Sequence, residues 1–257
     1  LYVGTPSGTC KSTDDGTHWT FLEQSDRKAL NIFADQRKSV HGLAVDSVGT
    51  VYAGTPAGKI FKSTDGGQTW TKLHELADKG GVYSVTVSPR NPKLLLAATS
   101  PAGLLKSEDA GATWTELPTP KDVRHALFAS ADDQTLYAAC DKKGVWKSTD
   151  GGKTWAASTA GVSEKCAVIE IAVDPTNAEN VYCIGNEGWS GSFYRSTDGA
   201  KTWTCVRTMK RDLSGNPTLP HEFGGENQSF SSLTNIALNP RNPKELFLSA
   251  NWRLIYS

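Results

Sequence analysis

The stretch Ser63-Thr64-Asp65-Gly66-Gly67-Gln68-Thr69-Trp70 is one of five copies of the pattern Ser-x-Asp-x-Gly-x-Thr-Trp in this chain of 257 residues, and the first copy has His18 in place of the threonine. The copies run from Ser12 to Trp19, Ser63 to Trp70, Ser107 to Trp114, Ser148 to Trp155 and Ser196 to Trp203. Their tryptophans are 51, 44, 41 and 48 residues apart. A repeat of about 45 residues is typical of arrays whose unit is a small sheet, so the pattern predicts an all-β repeat protein.

Each copy of the pattern has the composition of a tight turn between two strands. Ser and Asp side chains bond nearby backbone N–H groups, and Gly adopts the positive φ angles that such a turn needs. The Thr-Trp pair that follows is expected to begin the next strand with an aromatic anchor. A structural role, with no ligand, is therefore predicted for the five aspartates Asp14, Asp65, Asp109, Asp150 and Asp198.

These five segments resemble the Asp-box, or bacterial neuraminidase repeat, of β-propellers. The resemblance covers nearly the whole chain and implies that each segment joins the third and fourth strands of a blade. It implies less about function, because Asp-boxes lie on the face opposite the usual ligand site. They also occur in sialidases, xyloglucan-cleaving glycosidases, sortilin-type receptors and a photosystem assembly factor, so the fold alone does not determine the function. We refer to the five segments as box turns.

The residues between the box turns fit four short strands in each repeat. In the second repeat these are residues 40–45, 50–54, 59–63 and 69–73, which alternate or are β-branched and are bounded by Gly or Pro turns. No stretch has a sustained helical period. The sequence thus predicts a single β-propeller of antiparallel four-stranded blades over residues 1–257. The predicted blades are 1–25 (partial), 40–77, 82–118, 123–160, 166–208 and 232–257 (partial).

Both ends of the sequence fall inside predicted blades. Leu1 begins at a second strand, and Ser257 aligns with the first residue of what would be a sixth box turn. Propellers usually close by pairing both termini within one blade, whereas both ends here supply second and third strands. We therefore expect the sequence to be a piece of a longer protein with a seven- or eight-bladed ring. An irregular six-bladed ring is the alternative.

Charge and cysteine spacing exclude several classes of partner and site. Lys plus Arg and Asp plus Glu are 27 each, so no net field favours nucleic acid or an anionic membrane. No apolar run approaches the roughly 20 residues that span a bilayer. The five cysteines form no Cys-x-x-Cys pair, so neither a metal nor another cofactor is predicted. They are expected to be buried thiols outside disulfides, with Cys166 and Cys183 about five positions out of register on paired strands.

Three loops on the predicted face opposite the box turns have the composition of a sugar-binding cleft. They are the connection 209–231 between blades five and six, the blade-five loop 185–191 and the blade-six loop 251–253. An apolar sugar face stacks on tryptophan, while carboxylates and amides bond the hydroxyls. The predicted substrate-binding residues are Glu187, Trp189, His221, Asn227, Trp252 and Arg253. Alternatively, the long connection packs its own aromatic residues over the central opening of the ring.

Glycoside hydrolysis requires a carboxyl pair that flanks the scissile bond. Glu222 and Glu226 are the predicted catalytic residues, and Glu187 is a further carboxylate on the same side. Asp26 and Asp35, in the mixed-charge connection 23–39, could supply a partner from another side. None of these residues matches the catalytic motif of the xyloglucan-cleaving propellers.

Two other reactions on glycans require different residues on the same face. A polysaccharide lyase would use a base and a charge neutraliser, for which His221, Arg211 and Arg253 are available. Resemblance to sialidases would imply an Arg-Ile-Pro motif near the start of the chain, and the sequence has none. A glycoside hydrolase is therefore preferred to a lyase, and sialidase activity is not expected.

The function predicted from these features is that of an extracellular glycan-binding or glycan-cleaving propeller, secreted or periplasmic. Its partner would be a polysaccharide or a glycoprotein glycan, bound where blades five and six meet. The alternative is a non-catalytic scaffold or receptor propeller of the sortilin or assembly-factor type, whose partner is another protein. The sequence alone leaves hydrolase, lyase and binder open.

Overall fold

The computed structural model is all-β over the residues that it describes, and none of them forms an α-helix. These residues are 2–5, 8–14, 17–21, 42–77, 80–129, 131–141, 143–187, 190–208, 210–211, 217–218, 233–239, 242–250 and 253–256. Within them, no helix has the length and apolar character needed to cross a bilayer. The chain divides into two compact units, Leu1–Ala126 and Leu127–Ser257.

Three sheets form most of the first unit, and each pairs strands that are consecutive in the chain. Blade one consists of β1 (Tyr2–Thr5), β2 (Gly8–Lys11) and β3 (Thr20–Phe21). Blade two consists of β4 (Gly42–Val45), β5 (Val51–Gly54), β6 (Lys59–Ser63) and β7 (Thr71–Glu75). Blade three consists of β8 (Val82–Val87), β9 (Leu95–Thr99), β10 (Gly103–Ser107) and β11 (Thr115–Leu117).

The remaining sheets follow the same order. Blade four begins with β12 (Val123–Phe128), in which the unit boundary falls, and continues with β13 (Leu136–Cys140), β14 (Gly144–Ser148) and β15 (Ala156–Ala157). Blade five consists of β16 (Ala167–Val173), β17 (Val181–Glu187), β18 (Ser190–Ser196) and β19 (Thr204–Thr208). A small sheet pairs β20 (Lys210–Arg211) with β21 (Pro217–Thr218). Blade six consists of β22 (Leu233–Asn239), β23 (Asn242–Ala250) and β24 (Arg253–Tyr256).

This succession of antiparallel meanders is a β-propeller, and the predicted fold class is confirmed. In blades two, three and four the second strand is more deeply buried than the fourth. Every residue of β9 and of β13 is buried, whereas both residues of the outer strand β15 are exposed. The number of blades in the full ring stays a prediction.

The hydrophobic core lies between neighbouring sheets within each unit. Blades two and three share a cluster that includes Tyr52, Ile60, Val82, Leu95 and Leu105. In the second unit, blades four and five share a cluster that includes Tyr137, Val145, Ile171, Cys183, Tyr194 and Trp203. Blades five and six share a further cluster of Ile184, Phe193, Leu233, Ile236, Leu246 and Leu248. Burial of these side chains is the main favourable contribution to stacking one blade on the next.

The box turns join the third and fourth strands of their blades, and blade two shows their geometry. The Ser63 hydroxyl donates to Asp65 Oδ1 over 2.7 Å and accepts the N–H of Gly67 over 2.8 Å. The N–H of Thr69 donates to Asp65 Oδ1 over 2.9 Å, and its hydroxyl donates to Oδ2 over 2.5 Å. The strand begins one residue after the tryptophan, at Thr71, so Trp70 belongs to the turn rather than to the strand.

Two consecutive residues of positive φ make this turn possible. They are Gly66 and Gly67 in blade two, with φ angles of 72° and 92°. The equivalent pairs are Ala110 and Gly111, Gly151 and Gly152, and Gly199 and Ala200. An alanine in this region is strained relative to glycine, so the surrounding hydrogen bonds must hold Ala110 and Ala200 in place.

Candidate functional site

The carboxylates of the box turns are occupied by their own turns. Hydrogen bonds from the hydroxyl and then the N–H of Thr69 lower the pKa of Asp65 below its ordinary range. The corresponding bonds from Thr113 lower the pKa of Asp109 to about 2. In the first box turn, His18 takes the place of the threonine, and its N–H lowers the pKa of Asp14 to about 2. These contacts are those that a structural role requires.

A pair of hydrogen bonds joins blades five and six. These bonds lie at the ends of the blade-five strands that are farthest from the box turn. The side-chain oxygen of Asn186, near the end of β17, accepts the N–H of Leu233 over 3.1 Å. The side-chain nitrogen of Asn186 donates to the carbonyl oxygen of Leu233 over 3.1 Å. The amide thus satisfies both backbone groups of Leu233, as a partner strand would. The start of β22 is fixed to the end of β17.

The strand register places two further elements at the same level. Leu233 pairs with Ala250 at the end of β23, and Ala250 pairs with Arg253 at the start of β24. Asn186 pairs with Gly191 near the start of β18. The strand ends that flank all three predicted site loops therefore converge around Leu233. We call this region of Asn186, Gly191, Leu233, Ala250 and Arg253 the blade five–six junction.

The junction is closely packed as well as hydrogen-bonded. A Cβ atom built on Gly191 would lie 2.8 Å from Leu233 Cγ and 3.1 Å from its backbone nitrogen. These separations are shorter than side-chain carbons normally adopt, so a larger residue would displace β18 or β22. Glycine at this position allows the two blades to approach.

A carboxyl group lies deeper in the same pair of blades. Glu170 follows a β-bulge in β16, and its Oε2 accepts the N–H of Ile236 on β22 over 2.8 Å. The residue as a whole is half-buried, but burial of its carboxyl group raises the pKa of Glu170 to about 8. Hydrogen bonds from Ile236 and the Asn235 side chain oppose that rise without cancelling it. A carboxyl group that is protonated near neutral pH is a hydrogen-bond donor as well as an acceptor.

Within the strands of blade five, the other described carboxylate, Glu187, faces the opposite way. Glu170 pairs with Ile184, which belongs to the core between blades five and six, and Glu187 lies three residues further along β17. Because side chains alternate along a strand, Glu187 lies on the other face. There burial raises the pKa of the Cys166 thiol to about 12, and the charge of Glu187 adds to the rise. Glu170 and Glu187 therefore do not form the carboxyl pair of a hydrolase.

Comparison with known proteins identifies the family. The model of the DUF6242 β-propeller domain matches residues 11–249. The chain belongs to the DUF6242 β-propeller family. Comparison with curated protein sequences finds no match.

Several solved structures share the fold of this DUF6242 propeller. The GH74 xyloglucanase from Xanthomonas campestris has a TM-score of 0.70 and 17% identity, covering 100% of this chain and 41% of the enzyme. The GH74 enzyme from Niastella koreensis has a TM-score of 0.71 and 20% identity, covering 97% of this chain and 39% of the enzyme. A chain in the mitotic checkpoint complex has a TM-score of 0.63 and 10% identity, covering 99% of this chain and 71% of that chain. At these identities the likeness establishes the fold alone, and the chain spans about two fifths of the GH74 enzymes.

Most residues predicted for the site lie outside the described residues. Glu187 ends β17 and is half-buried, and Arg253 begins β24. The predicted site residues outside the described part are Trp189, His221, Glu222, Glu226, Asn227 and Trp252, together with the alternatives Asp26 and Asp35. The structure brings together the strand ends that flank Trp189 and Trp252 and the start of the strand that follows the connection 209–231. The roles of the side chains of this DUF6242 chain stay predictions.

No disulfide joins any of the five cysteines. Cys183 pairs with Ile171, so the expected offset of five positions from Cys166 is confirmed. Cys140, Cys166 and Cys183 are buried, Cys10 is half-buried and Cys205 is exposed. The expectation of burial is wrong for Cys205, because it lies on the outer strand β19. Among the described residues of this DUF6242 chain, no cluster of His, Cys, Asp and Glu has the size of a metal site.

Proposed function

We propose that this DUF6242 propeller is a glycan-binding or glycan-cleaving protein whose site lies at the blade five–six junction. The observation that carries the proposal is the convergence around Leu233. Residues 188–189 follow β17, residues 219–232 precede β22, and residues 251–252 separate β23 from β24. Two tryptophans and two glutamates of the predicted site belong to these three segments.

The chemistry of these segments suits a sugar. The flat rings of Trp189 and Trp252 offer apolar area on which a pyranose stacks, and the side chains of His221 and Asn227 hydrogen-bond its hydroxyl groups. A rigid base supports such a site, because loops on a fixed scaffold hold ligand groups better than free loops do. The Asn186 amide and the close approach of Gly191 to Leu233 supply that base.

The comparisons support a polysaccharide as the ligand. The two GH74 enzymes share the fold, and one of them is named for the cleavage of xyloglucan. We therefore propose glycoside hydrolysis, with Glu222 and Glu226 as the catalytic carboxyls, ahead of a lyase reaction. A polysaccharide or glycoprotein glycan as partner in turn favours a secreted or periplasmic location.

We also propose that the box turns are Asp-boxes with a purely structural role. The same Ser–Asp–Thr hydrogen bonds occur in blades two, three, four and five. Since both carboxylate oxygens already accept bonds within the turn, a ligand would have to displace them.

The second candidate is a protein-binding scaffold. The specific observation in its favour is the shared fold with a chain of the mitotic checkpoint complex, of which this chain covers 71%. In that case the tryptophans of the junction would contact a partner protein or pack within their own loops. Glycan binding separates the two candidates.

The experiment is a glycan array followed by titration with a binding oligosaccharide. Trp189→Ala and Trp252→Ala should each weaken binding by about 1–3 kcal/mol through lost stacking area. Trp19→Ala is the matched control, because Trp19 is an exposed tryptophan of blade one. Incubation with soluble polysaccharides then separates the activities: new reducing ends alone indicate a hydrolase, unsaturated ends a lyase, and neither a binder. Absence of binding across the array would contradict the proposal and favour the scaffold.

A further inference from the structure

A cleft of about 410 Å³ lies beside the outer strand of blade four, at the box-turn ends of the strands. Its walls are Trp155, Ala156, Ala157 and Ser158 of blade four and Ala200 and Lys201 of the blade-five box turn, with Lys147, Thr149 and Thr154. In blade five, Glu187 pairs with Ser190 at the end of the strands that forms the junction, and Val181 pairs with Ser196 at the end beside the cleft. The junction and the cleft therefore lie at opposite ends of the same strands. The cleft is therefore separate from the proposed glycan site.

Blade four has a serine where blade two has a leucine, and this serine lines the cleft. In blade two, Leu73 is the third residue after Trp70. A Cβ atom on Gly111 of the next box turn would lie only 2.5 Å from Leu73 Cδ1, so the leucine occupies the space beside that glycine. The equivalent positions in blades four and five are Ser158 and Ala200. The Ser158 hydroxyl donates to the Ala200 carbonyl oxygen and covers far less area than a leucine. Ser158 and Ala200 line the cleft at this position, and the Trp203 indole lies beside them, because its Nε1–H donates to the Ser158 carbonyl oxygen over 2.7 Å.

The free edge of β15 borders this space. Ser158 donates its N–H to Val145 of β14 over 2.8 Å. Because the bonding direction alternates along an antiparallel strand, the N–H and C=O of Ala157 point away from β14. Edge strands are commonly protected by charged side chains, as β7 is by Lys72 and Glu75. The two residues of β15 are both alanine, so its edge has no such protection.

The charge of the cleft is positive. Lys147 and Lys201 line it, and none of its lining residues is acidic. The nearby Asp150 carboxylate accepts the Thr154 hydroxyl over 2.5 Å and stays within its own turn. Lys147 uses one of its three donors on the Gly199 carbonyl oxygen, over 2.8 Å. An anionic group beside Lys201 would be electrostatically favoured.

We propose that the cleft binds an extended acidic peptide, which adds as a strand to the edge of β15. Backbone groups of the peptide pair with the N–H and C=O of Ala157, an aliphatic side chain enters the space beside Trp155, and a carboxylate lies at Lys201. Strand addition obtains affinity from main-chain hydrogen bonds and specificity from pockets for alternate side chains. The edge of β15, the cleft beside Trp155 and the ammonium group of Lys201 supply these three parts.

The test uses a displayed library of random heptapeptides, selected in parallel on the wild-type chain and on a Ser158→Leu/Ala200→Gly double variant. This variant restores the leucine and glycine that Leu73 and Gly111 provide between blades two and three, so it fills the cleft with a combination already present in the molecule. Peptides enriched on the wild type alone should carry an aliphatic residue next to Asp or Glu. A library that enriches no sequence on the wild type over the double variant would overturn the proposal.

The selected peptide is then titrated against single variants. Lys201→Glu should weaken binding at least tenfold, whereas Lys93→Glu, an exposed lysine of the first unit, should leave it unchanged. Methylation of the central peptide nitrogen should also weaken binding at least tenfold, because strand addition needs that donor. Equal binding of the methylated peptide would overturn strand addition. A heparin tetrasaccharide is titrated alongside, and binding of this probe without any peptide would assign the cleft to anionic glycans and overturn the peptide proposal.

Discussion

The hydroxyl of Tyr137 donates a hydrogen bond to the carbonyl oxygen of Gly199 over 3.2 Å and thereby joins blade four to the box turn of blade five. Lys147 donates to the same oxygen and lies 5.4 Å from the centre of the Tyr137 ring. The first unit repeats the arrangement, with the Tyr2 hydroxyl bonded to the Gly66 carbonyl oxygen over 3.4 Å. A box turn is thus both a strand connection and the point at which the preceding blade attaches.

Tyr137→Phe should lower the free energy of unfolding by about 1 kcal/mol, because it removes one buried hydrogen bond and leaves Lys147 on the same acceptor. The measurement is denaturant unfolding of the two proteins under one set of conditions. Tyr182→Phe is the matched control, since the Tyr182 hydroxyl has no hydrogen-bond partner among the described residues. An effect of Tyr182→Phe as large as that of Tyr137→Phe would contradict the role of the Gly199 contact.

Ser148→Ala should lower the free energy of unfolding by about 1–3 kcal/mol. The Ser148 hydroxyl is buried, accepts the N–H of Gly152 over 2.9 Å and donates to Asp150 Oδ1 over 2.7 Å. Its removal leaves a buried N–H group without an acceptor, and that cost exceeds the loss of an exposed bond. The neighbouring Thr149 is exposed, so Thr149→Ala should be nearly neutral in the same unfolding measurement.

The box turns should also make stability fall in acid. The pKa values of Asp14 and Asp109 are lowered to about 2, and Asp65 lies lower still, against about 3.9 in an unfolded chain. A group whose folded-state pKa is depressed contributes stability above its unfolded pKa and loses it as pH falls through the folded value. The thermal midpoint should therefore decline below about pH 4 and continue to decline towards pH 2. Asp109→Asn should reduce the decline of the thermal midpoint below about pH 4. A variant whose thermal midpoint falls with pH as steeply as that of the wild type would contradict the contribution of Asp109.

The elements that the sequence predicts well are those encoded by contiguous residues. The box turns depend on side chains within eight residues of one another, and the strands between them follow from short alternating runs. The strand begins after Trp70, however, because the indole N–H bonds the Gly67 carbonyl oxygen inside the turn. A turn residue and a first strand residue have the same sequence pattern, so the boundary was misplaced by two positions.

The blade five–six junction was predicted only in outline. Loop positions follow from topology, but the bonds between Asn186 and Leu233 join residues 47 positions apart, and nothing local marks them. Glu170 was missed because it lies in an apolar strand and its pKa depends on what packs around it. The cleft beside β15 could have been found by aligning the repeats, since Ser158 stands where Leu73 stands in blade two.

Glu170→Gln should remove a loss of stability that the wild-type protein undergoes between about pH 4 and pH 8. The folded-state pKa of Glu170 is raised to about 8, so the folded protein retains a proton that the unfolded chain releases near pH 4. The contribution of Glu170 to the free energy of unfolding is fully present below the unfolded pKa. It declines as the pH rises from about 4 to about 8. Gln keeps an acceptor for the Ile236 N–H but does not titrate. Unfolding midpoints from pH 4 to pH 8 are the measurement.

Glu170→Ala separates the charge from the hydrogen bond. It leaves the Ile236 N–H without its acceptor, so it should be less stable than Glu170→Gln at every pH while having the same flat profile. A Gln variant that keeps the wild-type pH dependence would show that another group titrates in this interval.

Glu222→Gln and Glu226→Gln should abolish glycan cleavage while leaving glycan affinity within about twofold of the wild type, if the junction site is a hydrolase. The amide is nearly isosteric with the carboxyl group but neither transfers a proton nor attacks an anomeric carbon. Reducing-end release measures turnover, and calorimetric titration with an uncleaved oligosaccharide measures affinity. Glu116→Gln is the control, because Glu116 is an exposed glutamate of blade three, outside the junction. Turnover that survives both the Glu222 and the Glu226 substitution would exclude these two residues as the catalytic pair, while loss of affinity in either variant would assign that residue to binding.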